Sequence, residues 1–226
     1  PMAKEASWIE DIRAKKSSFA NEAKDALNRL GIKSGGVGVI GFDEMTVDEY
    51  NSFNKALTEY RVVRAEDLLD ELRLIKSPKE INLIRKAAEI CDEAFHGFKK
   101  IAKPGVREYE AVAEMEYIAA RRGAEEAGCS IASGPYTGQQ PTTPRAKSFK
   151  TGEVVIASSV FRFRGYWAQV IRTGSIGKSS AIGEEIFSFL YNAQREGIRA
   201  MKPGDTLMKV YESISNVMNA GRYEKE

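Results

Sequence analysis

Two stretches of this chain give nearly the same instruction to its backbone. Residues 99 to 114 read KKIAKPGVREYEAVAE, and residues 198 to 213 read IRAMKPGDTLMKVYES. In each, a long amphipathic helical pattern runs into Lys-Pro-Gly and a second one follows. Proline cannot continue a helix and glycine permits the positive φ of a sharp corner, so each tripeptide predicts a turn between two helices. A common turn used twice would satisfy that physics. The spacing of about one hundred residues is too long for a solenoid, whose periods run roughly 20 to 50, but it suits a domain made of two similar halves. Between the two units lie CSIASG (129 to 134), a polar loop through residue 151, and GEVVIASSVFRFRGYWAQVIRTG (152 to 174), which reads as two strands joined by a tight turn.

Upstream, residues 8 to 30 repeat apolar residues at helical spacing and stop at Gly31. GVGVIG (36 to 41) predicts a buried strand, 46 to 60 a helix and RVVRA (61 to 65) a second strand, together a small α/β unit. SPKE then gives a strong start signal, with Ser77 as cap, Pro78 in the first turn and Glu80 closing a capping box. From Pro78 to about Ala102, the residues Ile81, Ile84, Ala88, Cys91, Ala94 and Phe95 form one apolar stripe, which predicts a long packing helix.

Bulk properties exclude several classes. The 226 residues carry 34 basic and 32 acidic side chains without a cationic block, which argues against nucleic-acid binding. No apolar run approaches the roughly twenty residues of a membrane span and no signal-peptide order is present, so the expected setting is cytoplasmic, with no membrane partner. Cys91 and Cys129 fit neither a metal spacing nor a disulfide framework and read as structural. His96, the single histidine, has no acidic or cysteine partner at a useful spacing, and it too reads as structural rather than as a general base. Glu108, Glu110, Glu114 and Glu116 read as the solvated face of a helix.

Five blocks in order carry a resemblance: LRLIKSPKEINLIRKAAEICDEAF (72 to 95), KPGVREYE (103 to 110), IASGPYTGQQP (131 to 141), TGEVVIASSVFRFRGYWAQVIRTGSIG (151 to 177) and AMKPGD (200 to 205). Together they resemble the creatinase, prolidase and aminopeptidase P family. The resemblance implies an α+β chain. Residues 72–226 would form the first part of a pita-bread catalytic domain, with pseudo-symmetric halves around a curved antiparallel sheet, and residues 1–71 the latter part of the family's N-terminal domain. It also implies a homodimer and a hydrolase acting on a short peptide or small molecule. The chain opens PMAKEASW and closes NAGRYEKE. The family's remaining histidine and two glutamates would come from beyond the equivalent of residue 226, so the expectation is a piece of a longer protein, inactive alone.

In the metal-dependent members a hairpin of this kind carries two aspartates that ligate a pair of divalent cations. Here those positions fall on Ser158 and Gln169. With the turn centred between Phe163 and Arg164, the two oppose each other directly across the hairpin. A hydroxyl and an amide remove the two negative charges that would offset a hard dication, so the expectation is no metal and no cofactor. The loop segment where the family places a histidine holds Thr142 and Thr143. A threonine hydroxyl exchanges no proton near neutral pH, so no catalytic residue is assigned. By strand alternation Ile156, Ser158 and Val160 share a face with Trp167, Gln169 and Ile171. The candidate pocket is therefore Tyr136, Thr142, Thr143, Ser158, Trp167, Gln169, Ile171 and Arg172, suited to a neutral or aromatic ligand. A filled core in which Ser158 and Gln169 hydrogen-bond each other is the alternative. Three functions follow: a metal-independent C–N hydrolase of the creatinase or aminopeptidase P type, a binding protein without turnover, and, should the hairpin register differ, a metal-dependent Xaa-Pro peptidase.

Overall fold

The computed structural model describes Ser7, residues 9–139 and residues 142–221. Trp8, where the sequence starts its first helix, and Gln140 and Pro141 of the polar loop lie outside the described residues. The chain divides into two compact units, Pro1–Ser77 and Pro78–Glu226.

The first unit contains α1 (Phe19–Arg29), β1 (Gly35–Val39), α2 (Val47–Ala56), β2 (Tyr60–Arg64) and α3 (Glu66–Leu74). β1 and β2 run parallel, with Gly35 opposite Tyr60. Helix α1 is shorter than its periodicity predicts, and local hydrogen bonds explain why. The Ser18 side chain accepts from the Asn21 amide, while the Glu22 carboxylate accepts from the amides of Lys16 and Ser17. These bonds fix the helix start at Ser18 and draw the preceding residues into a non-helical path. Helix α2 begins with a capping box between Thr46 and Glu49. Helix α3 was not expected from the sequence: its first residue has no side-chain cap to announce it.

The second unit contains α4 (Pro78–Ile101), α5 (Glu108–Arg121), β3 (Glu126–Ser133), β4 (Val154–Phe163), β5 (Tyr166–Ser175), α6 (Ala181–Ala200) and α7 (Leu207–Asn219). The strands form one antiparallel sheet in the order β3-β4-β5. Helices α4 and α5 cover one face of it around Ile90, Cys91, Ala94, Phe98, Met115, Val155 and Phe161. The buried stripe of α4 is Ala87, Ile90, Cys91, Ala94, Gly97 and Phe98. It is rotated from the expected stripe, since Ile81 is exposed and Ile84, Ala88 and Phe95 are only half-buried. The rotation brings Gly97 inward, where the two helices cross: a Cβ added there would stand 2.1 Å from Ile118 Cδ1.

The repeat seen in the sequence is a repeat of structure. Each Lys-Pro-Gly turns the chain between two helices, with Gly105 at φ 92° and Gly204 at φ 87°. Helices α6 and α7 likewise cross at a glycine, Gly197, whose added Cβ would meet Ile214 at 2.6 Å. The first corner is further tied down by the polar loop: Gly105 N donates to Phe149 O at 2.9 Å and Phe149 N to Val106 O at 2.8 Å. Among the described residues no helix is long and apolar enough to cross a membrane.

Candidate active site on the uncovered face of the sheet

The hairpin turns at Arg164 and Gly165, both with positive φ, 48° and 83°. Two left-handed residues in a two-residue loop make a type I′ turn, whose twist matches that of the flanking strands. The turn therefore centres one residue later than the sequence reading placed it. Ser158 faces Ile171, and Gln169 faces Val160. The expected direct opposition of Ser158 and Gln169 is thus corrected to a diagonal relation. A shift of two in the pairing sum keeps every side chain on its face, and the amide still reaches: Gln169 Nε2 donates to Ser158 Oγ at 3.3 Å.

Successive rows cross all three strands on this face. Ala132, Ile156 and Thr173 form one row; Ser130, Ser158 and Ile171 the next; then Gly128, Val160 and Gln169; then Glu126, Arg162 and Trp167. Helices cover the opposite face, and among the described residues this one is closed only toward β3: Ser158 is 5% exposed, whereas Trp167 is 48% and Ile171 44% exposed. Ser158 and Gln169 do hydrogen-bond each other, and among the described residues Gln169 remains exposed. Ser130, directly opposite Ser158, belongs to the same polar strip. The sequence reading missed it because the partner strand and its register were unknown. The last row is charged but compensated, since Arg162 pairs with Glu126 and stands 5.8 Å from the Trp167 ring.

The remaining candidates lie elsewhere. Arg172 pairs with Ala157 and belongs to the opposite face of the sheet. Thr142 bridges to Ile131, so it runs along the outer edge of β3, and it and Thr143 are both exposed. Tyr136 ends a short 3-10 turn, Gly134–Tyr136, directly after β3. His96 is exposed on α4, beside Glu93, Lys100 and Glu114 in a groove between α4 and α5. Cys91 and Cys129 are free. Burial pushes the Cys91 thiol up, and it pushes that of Cys129 up to about 12, so both stay protonated and unreactive.

Glu108 departs furthest from its expected solvated position: its side chain is 0% exposed. It accepts from Ser133 Oγ at 2.6 Å, from the Arg145 amide at 3.0 Å, and from Arg145 Nε and Nη2 at 2.9 and 2.8 Å. Burial by itself would raise this carboxyl, but the bonds from Arg145 and Ser133 outweigh it and hold it below the ordinary carboxylate range. Lys147 Nζ donates to Ser133 Oγ at 2.9 Å and to Glu153 at 2.6 Å. A spacing argument could not find this network, because its members come together only when the loop folds back on α5.

The described residues of the uncovered face do not by themselves fit a pair of divalent cations. Its polar strip offers hydroxyls and one amide, its one nearby carboxylate row is neutralised by Arg162, and among the described residues no three His, Cys, Asp or Glu side chains converge.

Residues 82–226 match the model of metallopeptidase family M24. An uncharacterized peptidase of Bacillus subtilis, YqhT, is 29% identical over 193 residues, which cover 84% of this chain and 53% of that protein. A Xaa-Pro dipeptidase of Pyrococcus horikoshii is 29% identical over 219 residues, covering 96% of this chain and 60% of its own length. Among solved structures, a Xaa-Pro dipeptidase from Bacillus anthracis superposes with a TM-score of 0.85 at 25% identity, over 98% of this chain and 62% of that one. The chain thus spans somewhat over half the length of the relatives it matches, and its fold is the pita-bread fold of its prolidase and aminopeptidase P neighbours.

Proposed function

The chain belongs to the metallopeptidase family M24, and from that premise we propose that it supplies the front of a hydrolase site for a C–N bond that works without a metal pair. The substrate class is a short peptide of the Xaa-Pro kind or a small amide or amidino compound. The relative named as a Xaa-Pro dipeptidase supports the peptide. The loss of charge at the hairpin favours a neutral group at its centre.

The observation that carries this reading is the Ser158–Gln169 hydrogen bond on the uncovered sheet face, at the two positions where the family resemblance implies metal-binding aspartates. One N–H of the Gln169 amide is engaged with Ser158. Its carbonyl oxygen and second N–H remain to pair with the complementary edge of an amide or amidino group. Ile156, Val160, Ile171 and Trp167 frame that polar centre with apolar surface, which excludes water from a bound ligand and strengthens the few polar contacts it makes. These residues bind and orient; none exchanges a proton near neutral pH.

That last point favours a second reading, a binding protein without turnover, because the single imidazole of the chain is His96 on α4 rather than on the sheet. One assay separates the two. Gly-Pro and creatine are incubated with the protein, with and without a chelator, and products are quantified while binding is followed by calorimetry. Hydrolysis unaffected by the chelator supports the first reading. Binding without product supports the second. Hydrolysis that the chelator abolishes and Mn²⁺ restores contradicts metal independence.

A further inference from the structure

The polar loop between β3 and β4 meets the first Lys-Pro-Gly corner, and an ion pair between the buried Glu108 and the half-buried Arg145 ties it to α5. Glu108 is the first residue of α5, set immediately after the corner, and among the described residues it is the one charged side chain that is fully buried. Its two oxygens accept from Arg145 Nε and Nη2 in a fork, and its remaining capacity goes to the Arg145 amide and to Ser133. The bidentate edge fixes the plane of the guanidinium. The flat side of the same guanidinium lies 3.8 Å from the centroid of the Tyr136 ring. Thus one side chain is gripped along its edge by the helix and presents its face to the loop.

The loop is pinned at neighbouring points too. Glu108 N donates to Lys147 O at 3.0 Å, and Lys147 reaches Ser133 and Glu153. Gly134 turns with φ +62°, and a Cβ on it would stand 2.7 Å from Glu153 Oε1. Both ends of the loop are therefore held by the network, while Tyr136 in the span between them is held through Arg145.

We infer that Glu108 and Arg145 are positioning residues, which fix the Tyr136 ring and the turn that follows β3, so that affinity for a ligand reaching that turn depends on a carboxylate that never touches ligand. The dependence of affinity rests on the proposed function; the fixing of the loop does not. Lysine at position 145 would keep the charge but lose the fork and the flat face, and a neutral amide at 108 would keep the shape but lose the charge-assisted bonds.

Amide hydrogen exchange on the whole chain tests the loop directly. In Glu108→Gln, Arg145→Lys and Tyr136→Ala the amides of Thr137 and Gln139 should exchange about tenfold or more faster, and in Arg145→Lys and Tyr136→Ala those of β4 and β5 should keep the wild-type rate. Tyr136→Phe, which retains the ring, should restore wild-type protection. Unchanged exchange at Thr137 and Gln139 in Arg145→Lys would overturn the inference. So would loss of protection throughout β4 and β5 in that variant, which would make the pair a global stabiliser. The second readout is calorimetric binding of Gly-Pro: affinity should fall in the variants that release the loop and hold in Tyr136→Phe. Released loops with unchanged Gly-Pro affinity would overturn the positioning role. A wild-type protein that binds no Gly-Pro would instead count against the proposed function, and exchange would still decide whether the strut exists.

Discussion

At the scale of single residues, the chemistry of the uncovered face follows from what Ser158 and Gln169 can and cannot carry. A hydroxyl and an amide provide hydrogen bonds without charge, and a hard dication held by them alone would keep its full desolvation cost. Installing the charge should therefore install affinity: the double variant Ser158→Asp with Gln169→Asp is expected to bind Mn²⁺ at least about tenfold more tightly than wild type by calorimetry, carboxylates being the preferred ligands of hard cations. Equal affinity in the two proteins would mean that the pair does not mark a former metal position. Glu108 gives a second residue-scale expectation. Its native pKa is lowered, so its stabilisation is fully present above the unfolded value of about 4.3 and is lost as pH falls through the native value. Breaking a buried pair costs about 3–5 kcal/mol, and Arg145, 32% exposed, can rehydrate, which places Glu108→Gln at about 3 kcal/mol at pH 7. In urea unfolding that deficit should shrink as the pH is taken below about 4. A deficit that stayed constant down to pH 3 would mean the stabilisation is not electrostatic.

At the scale of elements, a hairpin and two helix crossings set the geometry. Arg164 sits at φ 48° in a type I′ turn, a conformation that costs an ordinary residue and suits asparagine. Arg164→Asn should raise stability by up to about 1 kcal/mol, since the left-handed conformation costs an ordinary residue roughly 1–2 kcal/mol and asparagine relieves part of it; a destabilised variant would argue against the turn and the register it fixes. Gly97→Ala should cost about 1–3 kcal/mol by overpacking against Ile118, whereas Gly174→Ala, with open space around it, should stay within about 0.5 kcal/mol, both read by denaturant unfolding. Much of this architecture is legible in sequence, because proline and glycine act locally: both Lys-Pro-Gly corners, the helices beside them and the two hairpin strands follow from covalent constraints and periodicity. The face shared by Ser158 and Gln169 was legible for the same reason, since alternation survives an error of one residue in the turn centre. What depended on distant partners was not legible. The start of α1 is set by side-chain bonds from Ser18 and Glu22, the stripe of α4 is turned by its crossing with α5, and Ser130 joins the site only through its pairing with β4.

At the scale of the whole molecule, the M24 family fold presents a sheet with helices on one side and the candidate site, with its Ser158–Gln169 hydrogen bond, on the other. The proposed function requires that this uncharged pair hold no metal and receive neutral C–N compounds. Elemental analysis of the protein purified without chelator tests that requirement most directly. The account predicts no stoichiometric Mn, Co, Fe or Zn. Two equivalents of metal per chain would contradict it and would return Ser158 and Gln169 to the role of bystanders beside a working metal centre.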